Sequence, residues 1–145
     1  MSALQKALST IREQASNTTV LGNAFERLSK VFLENDATQT QQYSKVWHYE
    51  DWAKEHVGYS VKDIGIDLVA KLRDEKGYCA VQCKFYEAEH SISKSDLDSF
   101  ISASSTNDFT RLMLIDTSTQ PIGSNAQTVF NNICLLYTSD AADES

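Results

Sequence analysis

Apolar positions recur at two spacings along this chain, and the switch between them marks out the elements. Leu4, Leu8 and Ile11 fall at helical spacing, and Ser16 to Thr19 forms a polar break. A second helix is predicted over about Thr19 to Glu34, with Phe25, Leu28 and Phe32 on one stripe. Asn35 to Gln42 is polar and reads as a loop. Tyr43 to Tyr49 is rich in aromatic and β-branched residues and reads as a strand, and Glu50 to His56 as one or two helical turns. From Ile66 to Leu72 the spacing is two, with Ile66, Leu68, Ala70 and Leu72 alternating with Asp67, Val69 and Lys71. The charged turn Arg73 to Gly77 then returns the chain into a strand over Tyr78 to Phe85. Ser93 and Asp96 resemble a helix start ahead of Leu97, Phe100 and Ile101. Arg111 to Asp116 is a compact buried strand, and Ser124 to Ile133 begins another helix.

A three-strand meander followed by a crossover helix and a fourth strand predicts an α/β/α sandwich around a mixed four-stranded sheet. The length, 145 residues, is that of one domain, and 41% hydrophobic residues can fill its core. No run is apolar enough to span a membrane, and the mixed-charge N-terminus is not an export signal. Cys79, Cys83 and Cys134 match no disulfide or metal-finger spacing and suit a reducing cytosol. The net charge of −7 argues mildly against a passive nucleic-acid binder, which carries a basic face. Carboxylates that hold a divalent cation are a partial exception, because the ion reverses the local field.

Residues Cys134 to Glu144, CLLYTSDAADE, resemble the in-frame translation of a sequencing-library adapter. The expectation is therefore a natural domain over 1–133, interrupted near Ile133, and a foreign tail over 134–145. Removing Asp140, Asp143 and Glu144 with the tail takes the net charge from −7 to −4.

The chemistry concentrates on the central hairpin. Its turn folds the second strand back on the first, so Asp67 comes beside Gln82. Period-two alternation sets Gln82 and Lys84 on one strand face and Val81, Cys83 and Phe85 on the other. Asp67, the Gln82 amide oxygen and the Cys83 backbone carbonyl are hard oxygen donors suited to Mg²⁺. Lys84 suits the orientation of an attacking water and the neutralisation of a phosphate. Gln82 is a neutral ligand, so a second carboxylate is wanted, and Glu26 on the second helix is the natural candidate. His48, His56 and His90 are scattered and lack zinc-ligand spacing.

Three segments carry a family likeness: Gly22 to Glu26 (GNAFE), Asp63 to Ala70 (DIGIDLVA) and Val81 to Tyr86 (VQCKFY). In this order they resemble the GxxFE helix, D-x-G-x-D-L strand and QxK strand of the Mrr-like branch of PD-(D/E)xK nucleases. The likeness spans Leu21 to about Thr117. It implies a restriction-endonuclease-like fold, with Asp67 and Gln82 as metal ligands, Lys84 as catalytic lysine and Glu26 as supporting acid. It also implies Mg²⁺ or Mn²⁺ as cofactor, double-stranded DNA as substrate and a prokaryotic cytosol as compartment. The continuation after Lys84 is similar to N-terminal nuclease domains of large restriction proteins, in which helicase-like translocase and methyltransferase domains follow. Double-strand cleavage would call for dimerisation. The rival expectation is an inactive nuclease-fold module that only binds nucleic acid or assembles with partners.

Overall fold

The computed structural model describes residues 18–61, 65–84, 93–116 and 135–139, with Lys6, Thr10 and Glu13 before them. The first expected helix (Leu4 to Gln14), Asp63, and the last expected helix (Ser124 to Ile133) lie wholly or mostly outside the described residues. The described elements run α1 (Thr18–Asn35), α2 (Ala37–Gln42), β1 (Tyr43–His48), α3 (Tyr49–Lys54), β2 (Leu68–Leu72), β3 (Tyr78–Lys84), α4 (Lys94–Ala103), β4 (Phe109–Asp116) and β5 (Leu135–Ser139).

The strands form one mixed sheet in the order β1-β2-β3-β4-β5. β1, β2 and β3 are an antiparallel meander, and β4 joins β3 in parallel after the α4 crossover. The four strands expected from the sequence are all present. A fifth, β5, pairs in parallel with β4 inside the segment set apart above as foreign. Its residues Leu135 to Thr138 favour extended backbone, and the outer side of β4 offers a row of unpaired backbone groups to pair with.

The sheet is buried on both faces, and alternation divides its side chains between two cores. Leu68, Ala70 and Leu72 of β2, Cys79 and Val81 of β3, and Met113 and Ile115 of β4 pack with Phe25 and Leu33 of α1. Val69, Ala80 and Leu112 point the other way, into Trp52 and Ala53 of α3, Phe100 of α4 and Phe109. This gives the three layers of an α/β/α sandwich. α1 buries Phe25, Ser29 and Leu33, one helical face, and leaves Val20 and Val31 exposed. Trp52 is fully buried, with His56 stacked on its indole at 4.2 Å and Phe109 at 5.1 Å.

The polar stretch read as a loop contains a short helix, α2. Asp36 caps it, with its side chain accepting from the backbone N–H of Thr38 at 3.1 Å and of Gln39 at 3.2 Å. None of α2 is buried, so no apolar stripe announced it.

Beneath α1, the Tyr43 hydroxyl donates to Cys79 Sγ at 3.8 Å. Burial pushes the Cys79 thiol up from 9 to about 12 and raises the Tyr43 phenol as well. Below pH 9 both groups hold their protons in the folded and the unfolded chain. Above it the unfolded chain releases protons that the fold retains, so stability falls as pH rises towards 12. Urea midpoints measured at about pH 8 and about pH 10.5 should show this loss, and Cys79→Ala should flatten most of it. Equal midpoints for the natural protein would contradict the buried pair.

Candidate active site

The central hairpin places Leu68 opposite Val81, so the next pair outward is Asp67 and Gln82. The Asp67 N–H donates to the Val81 carbonyl at 2.9 Å, and the Asp67 carbonyl accepts from the Tyr49 N–H at 3.0 Å. The backbone of Asp67 is thus held on both sides. Its side chain is held too, because Gln82 Nε2 and the Cys83 backbone N–H both donate to Oδ2, each at 2.8 Å. Two donors on one oxygen fix the carboxylate plane as well as its position. Gln82 is only 6% exposed, so its amide is committed to this contact and is not a surface group.

The approach to Asp67 depends on Gly65. Its φ is +101°, a region that side chains rarely adopt. A Cβ there would lie 3.0 Å from the Ser99 carbonyl carbon and 3.1 Å from the Phe100 nitrogen, both backbone atoms of α4. The glycine lets the chain pass against α4 two residues before the carboxylate.

Glu26 reaches the same region from α1. Glu26, His48, Glu50, Ile66 and Asp67 line one cavity of about 240 Å³. Glu26 Oε1 lies 2.9 Å from His48 Nδ1. Cys83 records the proximity of both acids. Burial is the main cause that raises its thiol well above the usual value, and the Asp67 carboxylate, then that of Glu26, pushes the same way.

The expected residues therefore meet in part. Asp67, Gln82 and Cys83 are in direct contact, and Glu26 shares the cavity with Asp67. Lys84 is half-buried, two residues beyond Gln82 on the same strand face, and stands in register with the buried Asp116 of β4. It makes no ion pair with a described residue. Sequence reasoning missed His48 and Glu50 as cavity residues. The signal for His48 was its place at the end of β1, the meander strand next to the one that carries Asp67.

Among the described residues, no three His, Cys, Asp or Glu side chains are grouped to hold a metal. What the hairpin and α1 offer at the cavity is a pair of carboxylates, Asp67 and Glu26, with Gln82 and Cys83 holding Asp67 from behind as hydrogen-bond donors. Such a set fits a hard divalent cation and not zinc or copper.

A fold of this kind, with an acid and a Q-x-K pair at the open end of a central hairpin, defines the class of the PD-(D/E)xK nucleases. The Mrr_cat_2 family model, described as "Restriction endonuclease", matches residues 34–137, and the chain belongs to that family. The matched span contains Asp67, Gln82 and Lys84, while Glu26 precedes it. The family generally uses divalent metals. No curated protein matches the chain. Among solved structures, the chain is similar to the ATP-dependent Type ISP restriction-modification enzyme LlaBIII bound to DNA, with a TM-score of 0.69 and 23% identity over 96% of this chain. It is also similar to the MspJI restriction endonuclease in complex with a 27-mer oligonucleotide, with a TM-score of 0.58 and 13% identity over 96%. The chain spans 8% and 30% of the lengths of those two proteins. At these identities the likeness establishes the fold.

Gly65→Ala should destabilise the domain by about 2–3 kcal/mol, from strained backbone and the collision with α4. The check is urea denaturation, and a loss under about 0.5 kcal/mol would mean that the close approach to α4 is not as described.

Proposed function

We propose that this chain is the nuclease module of a longer restriction protein and hydrolyses phosphodiester bonds of double-stranded DNA with Mg²⁺ or Mn²⁺. The carrying observation is the Asp67 carboxylate, clamped by Gln82 and Cys83 within the family-matched span and facing the cavity it shares with Glu26. Asp67 and Glu26 would hold the cation, with the Gln82 amide oxygen and the Cys83 carbonyl beside them. When bound, the ion supplies Lewis-acid polarisation of the scissile phosphate.

The protein's own groups do the rest. The two N–H donors keep Asp67 from turning away, so little reorganisation is left for the moment of reaction. Lys84, free of an ion pair with any described residue, offers its ammonium to the phosphate and orients the attacking water. Gln82 keeps the site less negative than a glutamate would, which eases the approach of a polyanion.

The parent protein is proposed to carry a helicase-like translocase, and a methyltransferase domain as well. The likeness to a small part of a Type ISP enzyme supports that context. Dimerisation is the proposed route to double-strand cleavage. The stretch 134–145 is proposed to be foreign on its adapter likeness, and reading the gene through the codon for Ile133 tests this directly.

Asp67→Asn and, separately, Lys84→Ala should each reduce Mg²⁺-dependent plasmid nicking by at least about 100-fold, with melting temperatures within a few degrees of the natural protein. Asparagine keeps an oxygen for the Gln82 and Cys83 donors, so loss of activity would not follow from unfolding. Retained nicking in both folded variants would refute the assignment.

A further inference from the structure

His48 ends β1, where it pairs across the sheet with Leu68, the residue after Asp67. The residue after His48 donates its backbone N–H to the Asp67 carbonyl at 3.0 Å. The end of β1 is thereby fixed to the segment that carries Asp67. From this anchored position the His48 ring meets Glu26, with 2.9 Å between Nδ1 and Oε1. A carboxylate only accepts, so Nδ1 carries the hydrogen and donates. The His48 and Glu26 side chains are 35% and 26% exposed, so each is partly sheltered. Both line the cavity that Asp67 lines.

Glu26 needs such a partner. It projects from a helix in a different layer from the hairpin, and a glutamate side chain has three torsions to fix before it can act as a ligand. Asp67 is fixed by two donors, and His48 is the donor that performs this service for Glu26.

We propose that His48 is a positioning residue: its Nδ1–H holds the Glu26 carboxylate at the cavity shared with Asp67 and so sets the affinity of the site for a divalent cation. The proposal rests on the reading of Glu26 and Asp67 as ligands given above. Outer partners of this sort orient ligands in metal sites, and their loss weakens metal binding without removing it.

The test compares the full chain with His48→Leu, which keeps bulk and removes the donor, and His48→Asn, whose side-chain N–H stands near the place of Nδ1. Mn²⁺ binding is measured by titration calorimetry, Mg²⁺ dependence by plasmid nicking, and folding by thermal melting. His48→Leu should weaken Mn²⁺ binding about 10- to 100-fold and raise the Mg²⁺ requirement in parallel, with the rate at saturating metal little changed. His48→Asn should stay within about 3-fold of the natural protein. In a Glu26→Ala background, His48→Leu should add no further loss. A folded His48→Leu protein with natural Mn²⁺ affinity overturns the proposal, as does a full effect of the substitution without Glu26. Failure of His48→Asn equal to that of His48→Leu also overturns it, since the ring itself would then be required. A natural protein that binds no Mn²⁺ would instead overturn the function proposed above, and this inference with it.

Discussion

Two N–H groups converging on one oxygen of Asp67 hold the open end of the central hairpin together. The ladder proper ends at Leu68 and Val81. Beyond it the Asp67 N–H still reaches the Val81 carbonyl, and the bonds from Gln82 and Cys83 to the Asp67 carboxylate extend the joint further. The position of Asp67 also depends on what surrounds it. The backbone N–H of Tyr49, at the start of α3, holds its carbonyl, and Gly65 lets the preceding chain lie against α4. The carboxylate is a structural joint as much as a candidate ligand, and the geometry that suits it to bind a cation is the same geometry that ends the sheet there.

The division of labour across the sheet follows from this. One face packs under α1 and the other under α3 and α4, both almost wholly apolar. Polar groups are tolerated only at the strand ends, where alternation runs out and water enters. Glu26 and His48 bring the two sides together at that end, one from the helix layer and one from the sheet. The site forms where three layers stop packing, not within any of them.

Much of this was legible in the sequence because it is local. The length of the turn Arg73 to Gly77 fixes the hairpin register, and the register puts Asp67 beside Gln82. Period two then carries Lys84 to the same face. The α1 stripe of Phe25, Leu28 and Phe32 was plain, though the deepest positions are Phe25, Ser29 and Leu33. What was not legible is tertiary or capped. α2 has no buried residue and rests on the side chain of Asp36. The bond between Glu26 and His48 joins residues far apart in sequence, and no periodicity announces it. β5 was unforeseen because its residues were set apart as foreign, yet an apolar, extended segment finds an open strand edge whatever its origin.

The meander and its parallel extension differ in how far apart in sequence their partners lie. β2 returns into β3 through the short turn Arg73 to Gly77, while β1 reaches β2 through the longer segment that carries α3, and β4 docks only after the chain has crossed over through α4. Short returns close early and at low entropic cost, and parallel docking comes late. The Asp67 carboxylate accepts from Gln82 and Cys83 of the returning strand β3, and the Glu26 carboxylate of α1 meets His48 of β1. During synthesis the hairpin contact between Asp67 and β3 can therefore form before β4 arrives.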